Sequence, residues 1–482
     1  MGPEQLIQRL WNYCNILRDD GLSYNDYVEQ LTYLLFLKMA EEHSKPPFLH
    51  LAPLAKGHDW TALVSTKDEA QLELYERILR RLGQRKDLFG VIYRNALSKF
   101  RDPAKFQKLV AEIDAIEWAK YDSDVKGDAY EGLLERTAAE GKAGAGQYFT
   151  PRALVDAITT VVRPARGETV CDPACGTGGF LLSAYREMSR DRMTSAQREH
   201  LAHNAIHGGE LVDSVARLCL MNLVLHGIGG HTSPIVIGDS LEQTSPSRYD
   251  VVLANPPFGK RSSVTITNQA GDQVRESVMI NRTDFWTSTS NKQLNFLQHI
   301  FTLLNETGRA AVVLPDNVLF EGGAGEIIRR ELLKRANVHT LLRLPTGIFY
   351  AQGVKANVLF FDRRPPRAKA WTEKLWIYDL RTNRHFTLKE EPLKPGDLAD
   401  FVKSFAAGNE KNRKESDRFR AFNYDLLVTR DRANLDIAWL KDDALEETTD
   451  LPPPDILSAE LVEDLEAALA LLREVESDLK HS

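Results

Sequence analysis

The most constraining feature of the sequence is a regular alternation of two kinds of segment after residue 169. Short apolar runs rich in β-branched residues, typical of buried strands, alternate with longer segments whose apolar residues recur at helical spacing. The predicted strands are 169–171, 205–207, 235–237, 249–254, 310–314, 340–344, 358–361 and 375–378. The predicted helices between them include 178–189, 213–226, 293–305 and 324–335. This order predicts an α/β fold in which helices cover a mostly parallel sheet.

The sequence before this alternation predicts helices only. Two sets of residues each fall on one helical face: Leu6, Leu10, Cys14 and Leu17, and then Val28, Leu31, Leu35 and Met39. A Gly/Ala-rich linker at 139–146 follows. We therefore predict a helical N-terminal domain over 1–140, an α/β domain over 141–385 and a C-terminal extension over 386–482.

The charge is unevenly distributed along the chain. The net charge is −7, but residues 441–482 carry 13 acidic and 3 basic side chains, which leaves the rest at +3. A protein that holds DNA alone usually shows a stronger basic bias. Either the substrate is not DNA, or a partner supplies much of the binding surface. The basic stretch at 77–94 is better explained as a solvated helix face than as a DNA contact.

The C-terminal extension ends in a pattern that predicts a helix. After the prolines at 452–454, apolar residues from Leu461 to Leu479 alternate at spacings of four and three, as in a heptad seam. This helix could pack on its own chain or pair with another subunit.

The four cysteines form no metal or disulfide pattern, and no signal segment or membrane span is visible. We therefore expect a cytoplasmic protein with no metal and no membrane partner.

One short motif follows the predicted strand at 249–254 and bears directly on function. In Asn255-Pro256-Pro257-Phe258, the two prolines must end a central strand, which places Asn255 at its carboxyl end. Open α/β sheets bind their ligands at this edge. The Asn255 amide oxygen and the Pro256 carbonyl could hold a planar NH2 group, while Phe258 stacks on the ring that carries it. The alternative is a plain strand-to-loop turn with an Asn cap.

Other polar features follow the first three predicted strands. A glycine turn at 176–179 follows the first strand and opens a helix, but it is neither a dinucleotide fingerprint nor a P-loop. Glu210 ends the second strand, where it could bind a ribose diol, and Asp239 ends the third, where it could accept from an adenine amino group. Each alone could be a loop cap. Together, at successive strand ends, they predict an adenosine-shaped site without a pyrophosphate.

The order of these motifs resembles the amino-group DNA methyltransferases, and more narrowly the modification (M) subunits of type I restriction–modification systems. The resemblance covers roughly residues 1–365 and includes 147–152 and 344–349. It implies an S-adenosylmethionine-dependent methyltransferase fold, with S-adenosylmethionine as cofactor. The cofactor contacts that it implies, together with the acids and glycines above, are Gln147, Tyr148, Phe149, Thr150, Pro151, Arg152, Asp172, Gly176, Thr177, Gly178, Gly179, Glu210 and Asp239.

The resemblance also implies a reaction and a set of partners. Asn255 and Pro256, supported by Pro257, would hold the N6 amino group of an adenine flipped out of DNA, and Phe258 would stack on the base. The methyl group would pass directly from S-adenosylmethionine to this nitrogen. The implied partners are double-stranded DNA, a specificity (S) subunit, a second copy of this chain and a restriction/translocase (R) subunit.

Two other functions fit parts of the pattern. An Asn-Pro-Pro-aromatic turn can hold any planar NH2 group, including a glutamine side chain or an RNA base. A non-catalytic structural subunit is the second alternative, although this chain keeps every motif. The helical N-terminal domain and the polar segment at 259–292, which suggests a lid over the substrate or a disordered loop, favour a large DNA assembly.

Overall fold

The computed structural model of this chain describes most of the sequence. The described residues are 3–19, 24–44, 54–121, 129–134, 150–229, 232–242, 244–258, 263–267, 273–349, 355–387, 391–406, 410–440 and the single positions 458, 462 and 469. The predicted linker at 139–146 and the predicted heptad helix, apart from two single positions, lie outside these residues.

Helices are the only regular elements in the described part of the N-terminal region, as predicted. They are α1 (Pro3–Asp19), α2 (Tyr24–His43), α3 (Trp60–Ser65), α4 (Asp68–Gly83), α5 (Leu88–Ile92) and α6 (Pro103–Asp114), with a further helical turn at 129–134. Local chemistry sets the start of α6, where the Asp102 carboxylate accepts a hydrogen bond from the Ala104 amide at 2.9 Å and Pro103 follows. Both predicted apolar faces, on α1 and α2, are buried.

The second region is built on one nine-stranded sheet. Its strands are β1 (Val170–Asp172), β2 (Ile206–Glu210), β3 (Ile235–Ile237), β4 (Tyr249–Ala254), β7 (Leu304–Pro315), β8 (Ala336–Arg343), β9 (Ala356–Arg363), β10 (Lys374–Asp379) and β11 (Phe419–Asn423), while β5 (Ser263–Thr267) and β6 (Gln273–Ser277) form a separate hairpin. The order is β11-β10-β8-β9-β7-β4-β1-β2-β3. Only β9 and β11 run antiparallel to their neighbours. The predicted α/β fold with a mostly parallel sheet is confirmed.

Helices cover both faces of this sheet. They are α7 (Arg152–Val162), α8 (Gly179–Ser189), α9 (Ser195–His203), α10 (Asp213–Leu225), α11 (Lys292–Leu303), α12 (Asn317–Phe320), α13 (Ala324–Arg335), α14 (Pro395–Phe405) and α15 (Tyr424–Thr429). Strand β4 shows why both faces need cover: Val251 and Leu253 belong to one apolar cluster, Val252 and Ala254 to the other. A strand buried on both faces has a continuous apolar run, not an alternating one.

All eight predicted strands and all four named helices overlap observed elements. The ninth strand, β11, was not predicted; it pairs with β10 and extends the sheet past residue 385. The domain boundaries themselves stay a prediction. None of the helices in the described part of the chain has the length and hydropathy of a membrane span.

The strand order decides where a ligand site can form. The chain passes from β1 to β2 to β3 on one side and then returns to place β4 on the other side of β1. These four strands are parallel, so their carboxyl ends meet at one edge of the sheet. The reversal between β1 and β4 is the position where open α/β sheets bind ligands. The hairpin of β5 and β6 lies within the predicted lid segment and follows β4 in the chain.

Candidate active site

The glycine turn between β1 and α8 is held by backbone hydrogen bonds to the next strand. The Cys175 amide donates to the Gly209 carbonyl at 2.9 Å, and the Gly178 amide closes the turn by donating to the Cys175 carbonyl at 2.8 Å. Gly178 has a φ of +90°, a conformation that costs free energy for any residue with a Cβ atom. The helix α8 begins directly after it, so the turn presents a helix N-terminus at the ligand edge.

Glu210 joins this turn to the end of β2. Its Oε2 accepts a hydrogen bond from the Gly176 amide at 3.0 Å, and its Oε1 accepts one from the Val212 amide at 2.9 Å. The side chain is only 6% exposed. A carboxylate can accept about four hydrogen bonds, so both oxygens keep capacity for a further donor. Glu210 can therefore both shape the turn and bind the two hydroxyl groups of a ribose.

Asp172, at the end of β1, is buried, unlike a side chain that contacts a ligand at the surface. It is 2% exposed, and its Oδ1 accepts a hydrogen bond from the Ala174 amide at 3.0 Å. Burial, together with the nearby Glu210 carboxylate, raises the pKa of Asp172 to about 8. In this structure its carboxyl group stabilises the start of the turn through the hydrogen bond from Ala174.

This raised pKa predicts a pH dependence of stability. Between the ordinary pKa of 3.8 and the folded value of about 8, the unfolded chain loses the Asp172 proton while the folded chain keeps it. The free energy of unfolding should therefore fall as pH rises through this window. Asp172→Asn, which keeps the acceptor for Ala174, should flatten that slope in urea unfolding measured at several pH values. An unchanged slope would contradict the assignment.

Asp239 follows β3 and is exposed at the same edge. Its Oδ1 accepts a hydrogen bond from the Leu241 amide at 2.9 Å, which fixes the side chain relative to the turn. The neighbouring Ser240 hydroxyl donates to the Pro173 carbonyl at 2.7 Å and so ties the end of β3 to the glycine turn. The features predicted after β1, β2 and β3 thus lie on one connected surface.

Asn255 follows β4 and is half-buried. Its Nδ2 donates a hydrogen bond to the Thr150 hydroxyl oxygen at 2.9 Å. Its Oδ1 is buried and has no hydrogen-bond partner among the residues that the structure describes. Leaving a buried acceptor unpaired costs about 1–3 kcal/mol, which makes such an atom a candidate for ligand binding. The amide oxygen can accept from an incoming NH2 group.

Two aromatic rings contact each other at the end of the 255–258 motif. Phe258 ends the 255–258 motif, and its ring centroid is 5.7 Å from that of Phe349 at an interplanar angle of 85°. Phe258 is half-buried against the core, Pro256 is buried and Pro257 is exposed. Phe349 was not among the predicted site residues, although the 344–349 motif that contains it was recognised in the sequence. Its contact with Phe258 became visible only in the fold.

The residues before α7 are described in part. Thr150 is half-exposed, and Pro151 occupies the position just before the helix. An Arg152 guanidinium nitrogen lies 3.3 Å from the Glu131 carboxylate, which also accepts from Arg186 at 2.8 Å. Arg152 therefore contacts the helical turn at 129–134. The predicted cofactor residues Gln147, Tyr148 and Phe149 lie outside the described residues.

Comparisons with known proteins agree with this geometry. The family model for N-6 DNA methylases matches residues 121–435, and that for the HsdM N-terminal domain matches residues 6–113. The chain is 38% identical to the type I restriction enzyme EcoKI methylase subunit of Escherichia coli K12, over 100% of this chain and 98% of that protein. Its identity to the StySJI methylase subunit of Salmonella typhimurium is also 38%, over 98% and 96% of the two chains.

The comparison with solved structures also finds proteins of type I restriction–modification systems. A chain from a structure of complex assembly and conformational transition in the type I R-M system is 25% identical, with a TM-score of 0.74 over 99% of both chains. The crystal structure of the EcoKI M protein is 34% identical, with a TM-score of 0.55 over 98% of this chain and 96% of that one. The predicted family and enzyme class are confirmed: this chain belongs to the methylase subunits of type I restriction enzymes and carries their N-6 DNA methylase domain.

Proposed function

We propose that this chain transfers the methyl group of S-adenosylmethionine to the N6 amino group of an adenine flipped out of duplex DNA, in the cytoplasm, and that a specificity subunit selects the adenine. The observation that carries this proposal is the buried, unpaired Oδ1 of Asn255 at the carboxyl end of β4. The N-6 DNA methylase family supports the same chemistry. All four cysteines are free and buried, which fits a reducing compartment.

The residues at the ends of β1 to β3 fit the proposed cofactor. The helix N-terminus at Gly178 can face a carboxylate, Glu210 keeps acceptor capacity for ribose hydroxyls, and exposed Asp239 can accept from an adenine amino group. We propose that Gly176, Thr177 and Gly179 also contact the cofactor at this edge. Asp172 would stabilise the turn through its hydrogen bond with the Ala174 amide. The other residues of the 147–152 segment would contact the cofactor, whereas the Thr150 hydroxyl contacts Asn255. When bound, the cofactor supplies an electrophilic methyl group on a sulfonium.

The chain's own contribution to the reaction would be to activate and position the amino group. Adenine N6 is a weak nucleophile because its lone pair is delocalised into the ring. Asn255 Oδ1 and the Pro256 carbonyl would each accept a hydrogen bond from one of the two N–H groups and restore lone-pair character, while Pro257 restricts the backbone that carries them. Holding the nitrogen in line with the methyl carbon would supply much of the acceleration. No cysteine needs to react.

The base itself would lie against the two aromatic rings. We propose that Phe258 stacks on the flipped adenine and that Phe349 forms a second wall, because their perpendicular rings have centroids only 5.7 Å apart. Extruding the base from the duplex costs roughly a few kcal/mol, and stacking on aromatic side chains helps to offset this cost. The hairpin of β5 and β6, which begins at Ser263, five positions after Phe258, is a candidate to contact the DNA around the extruded base.

The test of this function is product identification. The native complex, purified through a tag on this chain, is incubated with labelled S-adenosylmethionine and unmodified, whole-genome-amplified DNA. The DNA is then digested to nucleosides for mass spectrometry. We expect N6-methyladenine in the DNA. Label on protein or RNA, methylation of cytosine N4, or no transfer to DNA at all would overturn the proposal.

We predict that the chain alone is a poor and sequence-blind methylase that needs its specificity subunit. Without residues 441–482 the chain carries a net charge of only +3, and non-specific DNA affinity arises mainly from phosphate contacts. The proposed assembly contains two copies of this chain and one specificity subunit, to which a restriction subunit adds cleavage. Methylation of duplex DNA is compared for the purified chain with and without that partner. Robust, sequence-specific methylation by the chain alone would contradict this prediction.

A matched truncation at Pro452 tests the predicted heptad helix separately. If that helix pairs with another subunit, the truncated chain should no longer co-purify with its partner, while its binding of S-adenosylmethionine stays unchanged. Unimpaired complex formation would show that the tail has another role and would leave the proposed reaction intact.

A further inference from the structure

We propose that Thr150 is a positioning residue for Asn255: its hydroxyl oxygen accepts the hydrogen bond that keeps the amide turned with its oxygen toward the acceptor base. This inference rests on the proposed function of Asn255. The resemblance to known methylases assigns Thr150 to the cofactor, whereas the structure places its hydroxyl on the acceptor amide.

The contact joins two motifs that are far apart in the sequence. Asn255 Nδ2 lies 2.9 Å from Thr150 Oγ1, across 105 positions of the chain. The other end of the same amide, Oδ1, is buried and unpaired in the part of the chain that the structure describes. The amide is therefore held at its nitrogen and left available at its oxygen.

The orientation of this amide decides whether the site can work. A primary amide has a donor end and an acceptor end of nearly equal size, so it can occupy the same space in two orientations. Only the acceptor end can take a hydrogen from an amino group; the reversed amide would place N–H against N–H. A threonine hydroxyl can donate as well as accept, so Thr150 holds the productive orientation when its oxygen accepts from Nδ2 and its own hydrogen points away from the amide.

The fold holds Thr150 firmly enough for this role. It directly precedes Pro151, and a residue before proline is restricted to extended conformations. The helix α7 begins at Arg152 and is anchored by Leu154 and Ile158, both fully buried. Arg152 also contacts Glu131 at 3.3 Å. The hydroxyl is thus presented from a short segment that is fixed on its C-terminal side by a packed helix.

The segment that carries Thr150 also links a neighbouring helical turn to the acceptor amide. The segment that carries Thr150 contacts the helical turn at 129–134 through Arg152 and the acceptor amide through its hydroxyl. A shift of this segment would release the Asn255 amide from its productive orientation. Thr150 and the adjacent Arg152 therefore connect the helical turn at 129–134 with the group that would activate the base.

The test compares two substitutions in the native complex. Thr150→Val keeps the shape but removes the acceptor, whereas Thr150→Ser keeps the hydroxyl. At saturating S-adenosylmethionine and unmodified genomic DNA, Thr150→Val should lower the methylation rate about tenfold or more, as expected when a buried polar group loses its partner. The dissociation constant for S-adenosylmethionine, measured by calorimetry, should not change. Thr150→Ser should restore most of the rate.

Each outcome decides the proposal. A wild-type rate for Thr150→Val, a loss explained wholly by weaker binding of S-adenosylmethionine, or no rescue by Thr150→Ser would overturn it. Thermal unfolding monitors the fold, and if Thr150→Val does not fold, Thr150→Ala takes its place in the same comparison. The proposed function fails separately, because it requires that the wild-type complex itself form N6-methyladenine.

Discussion

Asn255→Ala should lower the rate of methyl transfer about a hundredfold or more while it leaves the affinity for S-adenosylmethionine nearly intact. The reason is geometric: the amide lies at the end of β4 with its oxygen unpaired, and its only described hydrogen bond goes to Thr150. The glycine turn, Glu210 and Asp239, which would hold the cofactor, make no described hydrogen bond to it. Removing a group that stabilises the transition state costs ~3 kcal/mol or more, about a hundredfold in rate.

Asn337→Ala is a suitable control for this variant. Asn337 is also half-buried, and its Nδ2 also makes one side-chain hydrogen bond, to Glu410 at 3.1 Å. It lies near the amino end of β8, at the opposite edge of the sheet, so its loss should leave the methylation rate unchanged. Single-turnover methylation and calorimetry are measured for both variants. A comparable methylation rate in Asn255→Ala would remove Asn255 from the mechanism.

The sequence predicted the central elements of the fold well because they are buried on both faces. In β4, whose last four residues are buried, the apolar run coincides with the observed strand at 249–254. Such runs carry their signal locally, in residues that neighbour each other along the chain. Strand β11 is different: it lies at the edge, only Phe419 of its five residues is buried, and Arg420 and Asn423 are exposed. Without an apolar run, its pairing with β10 could not be recognised.

The candidate site shows the same division between local and long-range information. The glycine turn, Glu210, Asp239 and the 255–258 motif were found because each directly follows a predictable strand. The bond between Thr150 and Asn255 spans 105 positions, and the contact of Phe258 with Phe349 joins segments on either side of β7 and β8. These contacts depend on which strands become neighbours, a property of the whole sheet. Asp172 was predicted as a ligand contact, but its burial also depends on the packing around β1.

Gly178→Asp should eliminate measurable binding of S-adenosylmethionine by a folded chain. Gly178 is buried at the start of α8 with a φ of +90°, and an added Cβ atom would lie 2.9 Å from Cys219 Sγ. The new carboxylate would also face the carboxylate of the methionine end of the cofactor, close to Glu210. Placing like charges together costs several kcal/mol, roughly, so the dissociation constant should rise a hundredfold or more.

Three variants separate charge from crowding in this prediction. Gly178→Ala adds the Cβ atom alone, and Gly178→Ala with Cys219→Ala removes the sulfur that it would contact. If crowding dominates, the double substitution should recover affinity; if charge dominates, Gly178→Ala should already bind far better than Gly178→Asp. Gly396→Asp is the control, because its Cβ would meet no atom within 4 Å in the first turn of α14. Thermal unfolding is compared first, since positive φ strains any residue other than glycine. Wild-type affinity in a folded Gly178→Asp protein would refute the proposed cofactor site, because no ligand bound at this turn could tolerate a buried carboxylate there.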